Sequence, residues 1–138
     1  VATLDALHDE LPLADVVVLA LAVTPETVGV IGGPELARMK PDAWIVNLAR
    51  GVHIVTDDLV TALRDHAIGG ACLDVTDPEP LPPRHPLWST PGVLISPHVG
   101  GNTSAFWPRA RRLVEHQLAR LASGQPPLYP VAGPTLDP

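Results

Sequence analysis

The stretch Trp44-Ile-Val-Asn-Leu-Ala-Arg-Gly51 decides how this chain folds. Its first five residues are an apolar run of strand composition, and Ala49, Arg50 and Gly51 then turn the chain. A fixed cation therefore stands at the carboxyl end of a strand. In open parallel sheets the ligand crevice lies outside those ends, where a guanidinium can grip a carboxylate with two parallel hydrogen bonds. Taken alone, Arg50 fits a surface salt bridge equally well. Two later strands that also end on acid and base groups move the reading towards a site.

Upstream, Leu4, Leu7 and Leu11 recur at near-helical spacing, which predicts a short helix stopped at Pro12. Asp15 precedes the unbroken apolar run Val16 to Leu21, the pattern of a strand buried on both faces. Thr24-Pro-Glu-Thr27 reads as a turn, Gly32-Gly33 as a second break, and Pro34 as the opening of a short helix to about Met39. Downstream, Thr56 is suited to cap a helix running to about His66, with Asp57 and Asp58 complementing its dipole and Leu59, Val60 and Leu63 on its inner face. Ala71 to Val75 is the third strand and Val93 to Ser96 the fourth, ended by Pro97-His98. Between them runs a Pro-rich loop, Thr76 to Pro91, whose composition favours a stiff, extended path and whose length marks a site. A last helix begins near Thr103, is disturbed at Pro108 and stops at Gly124. Strands separated by helices call for an α/β fold with a doubly wound parallel sheet and a C-terminal helix.

With 138 residues and 46% hydrophobic content, the chain has material for one modest core and one domain. A formal charge of -6 argues against a nucleic-acid partner, since Arg109, Arg111 and Arg112 make only a local cluster. The lone Cys72 rules out an internal disulfide and reads as an inert core thiol. The longest apolar run, Val16 to Val23, is too short to span a bilayer, and no basic region followed by an apolar stretch opens the chain, so a soluble cytoplasmic protein is expected. His8, His53, His66, His85 and His116 have no partner at metal-ligand spacing, and no metal is assigned.

The chemistry falls on one edge of the expected sheet: Arg50 after the second strand, Asp74 and Glu79 after the third, His98 after the fourth. Imidazole is the side chain best suited to take a proton from an alcohol near neutral pH, and a neighbouring carboxylate orients it and stabilises its protonated form. His98 and Glu79 are candidates for that pair. Judged singly, His98 could equally bond a backbone carbonyl and Glu79 could sit in solvent.

Several linked stretches in order make a stronger signal. Asp15-Val-Val-Val-Leu19 with Thr24-Pro-Glu-Thr27, Val46 to Gly51, Gly70-Ala-Cys-Leu-Asp-Val75, Glu79-Pro-Leu81, His85-Pro-Leu-Trp88 and Pro97-His98-Val-Gly-Gly-Asn-Thr103 resemble the NAD-dependent D-isomer-specific 2-hydroxyacid dehydrogenases, from about Leu4 to Val131. The resemblance implies a Rossmann-type NAD-binding domain. It implies that Arg50 binds the substrate carboxylate, that His98 is the acid/base and that Glu79 pairs with it. It implies further that Asp74 holds the nicotinamide side of the cofactor, with Ala22, Thr27, Leu48, Ala49, Arg50, His98, Gly100 and Gly101 lining the cofactor site. Glu79, where formate dehydrogenases typically carry Gln, argues against that branch. Ala22 stands where Pro is usual, Ala20 where His is frequent, and Val55 and Thr56 where acidic residues are common.

One motif is absent: no Gly-x-Gly-x-x-Gly occurs, the turn that brings backbone amides and a helix terminus to a pyrophosphate. The expectation is that residues 1–124 form the second, nicotinamide half of a Rossmann-type domain, followed by a Pro-rich tail over residues 125–138. The implied activity is hydride transfer between NAD, with NADP open, and a D-2-hydroxy acid or 2-keto acid, in a full-length parent that is a homodimer. The chain alone is expected to be inactive. A non-catalytic protein of the same fold that senses NAD or docks a partner is the other class.

Overall fold

The computed structural model describes residues 4–129, and the chain divides into two compact units, residues 1–100 and 101–138. Four strands form one parallel sheet in chain order: β1 (Val16–Leu19), β2 (Trp44–Asn47), β3 (Gly70–Leu73) and β4 (Val93–Ile95). The connections carry two helices, α2 (Gly33–Leu36) and α3 (Thr56–Arg64), after a short α1 (Leu7–Glu10) flanked by 3-10 turns. The α/β parallel sheet read from the alternation of strands and helices is the architecture observed.

Register sorts the strand residues into two faces. Val17, Ile45, Ala71 and Val93 align on one face with Leu19, Asn47, Leu73 and Ile95. Against it pack Leu36 and Met39 from α2 and its following turn, and Leu59, Val60 and Leu63 from α3, making the core. Ile45, Ile31, Leu36 and Leu59 are almost wholly excluded from water, so trimming any one of them to Ala removes about 2–5 kcal/mol of stability. The opposite face presents Val18, Val46, Cys72 and Leu94 in a row, with Val18 55% and Leu94 62% exposed. This corrects the reading of Val16 to Leu21 as a strand buried on both faces. The strand is shorter, lies at the sheet edge, and has only one face covered by the helices of its own unit.

Three further details differ from the sequence reading. Thr56 does not cap α3: Val55 holds the cap position, and the Thr56 hydroxyl donates instead to the Asp77 carbonyl at 2.8 Å, tying the helix start to the Pro-rich loop. That loop is not extended throughout, because Pro86–Ser89 closes a 3-10 turn whose preceding residue, His85, accepts from Leu87 N through its ring. In the second unit, α4 runs unbroken over Phe106–Ala122. Pro108 lies in its first turn, where a missing N–H leaves no hydrogen bond unmade, so the expected disturbance does not arise. Gly124, with φ of 68°, follows the helix end as expected. Residues 130–138 of the expected tail lie outside the described residues. Among the described residues no helix is long and apolar enough to cross a membrane.

Candidate active site

The carboxyl ends of β2, β3 and β4 carry the site residues, and each is held by its own local chemistry. Asn47, the last residue of β2, is buried. Its side-chain oxygen accepts from Ala49 N at 3.0 Å and its amide donates to the Arg50 carbonyl at 2.9 Å, an Asx-type turn that fixes how the chain leaves the strand. Ala49 is buried beneath this turn and Leu48 is exposed. Arg50 projects into solvent with one bond, from Nη1 to the Ala49 carbonyl at 2.6 Å; its other donors make no hydrogen bond among the described residues.

Gly51 must be glycine. A Cβ there would overlap the carbonyl group of Thr76, so only a hydrogen lets the Arg50 turn lie against the backbone that leads to Glu79. Together with the Thr56 to Asp77 bond, this contact anchors the start of the Pro-rich loop at β2's end of the sheet.

After β3, the buried Asp74 gathers the chain that follows β4. Ser96 Oγ donates to it at 2.6 Å, Val99 N at 2.9 Å and Gly100 N at 2.7 Å. These three bonds, Ser96 first, then Gly100 and Val99, stabilise the ionised form and hold its carboxyl below the ordinary range. Two successive amides aimed at one carboxylate require a tight reversal, and His98 supplies it with φ of 53°. For an L-residue that left-handed conformation costs about 1–2 kcal/mol, which the charge-assisted bonds to Asp74 offset.

The reversal points the His98 ring at the loop. Its Nδ1 lies 2.6 Å from Glu79 Oε1, with both side chains partly exposed. A carboxylate only accepts, so Nδ1 carries the proton and Nε2 is left as the basic nitrogen. The pair opens on a crevice of about 240 Å³ lined by Thr76, Glu79, Leu81, Trp88 and His98. Arg50 is not among the lining residues: it stands at the same edge of the sheet, one strand beyond Asp74. A larger depression, about 410 Å³, lies between Gly29, Thr56 and Asp77 and includes none of the three catalytic candidates.

At the β1 end, the Thr27 hydroxyl donates to the Ala22 carbonyl at 2.8 Å and accepts from Thr24 N at 2.8 Å, closing the turn that carries both cofactor candidates. Gly101 opens the second unit, where its carbonyl accepts from Thr103 N at 3.0 Å. The polar groups here suit the carboxamide end of a nicotinamide, whose N–H groups need an acceptor. One carboxylate stands at the strand ends with a lone pair to spare on Oδ2, and bare backbone stands at Gly100, where a Cβ would meet that oxygen at 2.8 Å.

The family described as D-isomer specific 2-hydroxyacid dehydrogenase, NAD binding domain, matches residues 1–100. This chain belongs to that family. The 2-hydroxyacid dehydrogenase resemblance read from the linked motifs is thereby established, and with it a Rossmann-type NAD-binding domain, of which the chain covers part. An uncharacterised protein of Corynebacterium melassecola, from the region 3' of proB, is 54% identical over 85 residues, covering 62% of this chain and 28% of that protein. The TT0316 protein from Thermus thermophilus matches at a TM-score of 0.80 with 42% identity, covering 91% of this chain and 40% of that one. A D-isomer specific 2-hydroxyacid dehydrogenase from Xanthobacter autotrophicus Py2, solved with NADPH and MES, matches at 0.84 with 35% identity over 93% of this chain and 52% of that one. The chain thus spans about a quarter to a half of the length of these relatives.

Within this segment, sequence reading passed over three residues that build the site. Asn47 left a signal, a lone amide closing an apolar strand. Ser96 and Gly51 left little, because a serine after a strand and a glycine in a turn are ordinary; their importance lies in partners 22 and 25 residues away, Asp74 and Thr76.

Proposed function

We propose that this segment is the nicotinamide-side half of the coenzyme domain of a cytoplasmic, homodimeric NAD(P)-dependent D-2-hydroxyacid dehydrogenase, with Arg50, Glu79 and His98 as its catalytic residues. The observation that carries the reading is the 2.6 Å bond between His98 Nδ1 and Glu79 Oε1. It fixes one tautomer and leaves Nε2 free to act on a substrate proton.

A bound nicotinamide ring supplies the hydride acceptor. In the oxidative direction His98 Nε2 takes the proton of the 2-hydroxyl as hydride leaves carbon 2 and the C–O bond becomes a carbonyl. Glu79 then faces an imidazolium, whose charge it stabilises. In the reverse direction the same nitrogen returns the proton to the carbonyl oxygen. Arg50, most of whose guanidinium is unpaired among the described residues, receives the substrate carboxylate in a two-pronged bond that fixes the 2-carbon relative to His98. Ala22, Thr27, Leu48, Ala49, Asp74, Gly100 and Gly101 line the cofactor.

The test is coenzyme reduction by the full-length protein that contains this segment, offered matched D- and L-2-hydroxy acids. Turnover of D-isomers is expected. An Arg50→Lys variant, which keeps the charge but loses the planar fork, should raise KM for the acid and lower kcat. Coenzyme binding without turnover of any 2-hydroxy or 2-keto acid would replace this reading with a non-catalytic NAD-sensing protein.

A further inference from the structure

His53 has no part in the chemistry above, yet it is the most completely buried titratable side chain among the described residues, at 0% exposure. Its Nδ1 lies 2.8 Å from the Thr27 carbonyl oxygen, 26 residues away. A carbonyl only accepts, so Nδ1 carries the ring proton and Nε2 is a bare acceptor. That second nitrogen is buried and has no partner among the described residues. An aliphatic side chain would fill the same space without stranding Nε2, but it would withdraw the donor from the Thr27 carbonyl and leave that oxygen only the 3.4 Å bond from Val30 N. What imidazole adds here is the bond to Thr27.

That bond joins two parts of the site. His53 closes the 3-10 turn Gly51–His53, directly after Arg50, and its own N–H donates to the Arg50 carbonyl at 3.3 Å. Thr27 closes the Thr24–Thr27 turn on the cofactor side. Between them the backbones run together in parallel: Gly29 N donates to Val52 O at 2.8 Å, Ile31 N to His53 O at 3.0 Å and Val55 N to Ile31 O at 2.9 Å. The ladder sets residues 29–31, and the His53 side chain extends the hold by one turn to Thr27.

We infer that His53 is a positioning residue: through the Thr27 carbonyl it locks the cofactor-side turn to the turn that carries Arg50, fixing the distance between bound coenzyme and substrate carboxylate. The inference rests on the cofactor and substrate roles proposed above. It predicts a coupling. Loosening one turn from the other raises KM for the coenzyme and lowers kcat through misplacement, out of proportion to any change in folding stability.

The experiment compares the full-length protein with His53→Leu and His53→Asn. Leucine fills the space and removes the stranded nitrogen; asparagine keeps an amide N–H near the position of Nδ1. For His53→Leu the expected result is a Tm near the parent's, because removing the stranded nitrogen offsets the lost bond to Thr27, with kcat/KM down about tenfold. His53→Asn should recover most of that loss. Unchanged kinetics in His53→Leu would overturn the inference. So would a parallel fall of Tm and activity in both variants, the mark of a merely structural core residue. If the parent turns over no 2-hydroxy acid, the proposed reaction fails by itself, and calorimetric NAD and NADP binding to the same three proteins decides the inference. The expected order is again parent, His53→Asn, His53→Leu, while equal affinities, or no binding by any of them, overturn it.

Discussion

His98 Nδ1 stands 2.6 Å from Glu79 Oε1 across 19 residues of chain, and what brings them together is a third residue, Asp74, which touches neither side chain by hydrogen bond. Asp74 pins Val99 and Gly100, the reversal at His98 turns the ring, and the loop beginning at Thr76 delivers Glu79 to meet it.

Replacing Glu79 with Gln in the full-length protein keeps a hydrogen-bond acceptor for Nδ1 and removes the negative charge. The ring stays oriented but its protonated form loses its counter-charge, so kcat should fall by about one to two orders of magnitude while KM for the coenzyme stays near the parent value. Steady-state kinetics measure both. An unchanged kcat would take Glu79 out of the mechanism.

A Gly51→Ala substitution forces a methyl group into the backbone of Thr76 and Asp77, neither of which can rotate away. The cost should reach about 2–4 kcal/mol, the range of overpacking joined to a lost turn. Chemical denaturation reads the stability. The loop moves with the clash, so activity should fall further than it does in a core variant such as Leu59→Ala of equal stability loss.

Asp74 gives the fold an acid limb. Its carboxyl is held below its ordinary range when folded, so the unfolded chain binds the proton more readily, and stability rises with pH between the two values. The stabilisation is complete above the unfolded value of about 3.9 and is lost as pH falls through the folded one. An Asp74→Asn protein should melt lower at neutral pH and show a shallower fall of Tm on acidification, since its amide cannot ionise and turns N–H groups towards donors. Thermal melts at stepped pH test this, and parallel curves for the two proteins would refute it.

The 138-residue chain should self-associate. β1 pairs only with β2, leaving its outer edge unpaired among the described residues, and Val16 and Val18 are each more than half exposed beside it. Light scattering across a concentration series should show mass rising with concentration, and Val18→Lys, which places a charge on that face, should reduce it. A monodisperse monomer before substitution would count against the edge as a sticky surface.

The existence of the strands, their parallel pairing and the residues beyond their ends were legible from the chain alone, because they depend on local runs of apolar residues and on breakers beside them. The runs Val16 to Leu21, Trp44 to Leu48 and Ala71 to Val75 declare themselves without reference to one another, each within two residues of the observed strand ends, and Arg50, Glu79 and His98 lie beyond where such runs stop. What the chain alone left open was which groups meet. The apolar run at Val16 carries no mark of whether a second layer lies over it, since burial belongs to neighbours; only the assembled sheet showed Val18 bare. Thr56 has the right chemistry for a helix cap and Asp77 the right carbonyl to compete with it, and the winner was set by the loop's path past Gly51. The stranded Nε2 of His53 has no signature in sequence at all. It exists because residues 27–31 and 51–55 lie side by side, a contact made by the fold and not by either segment.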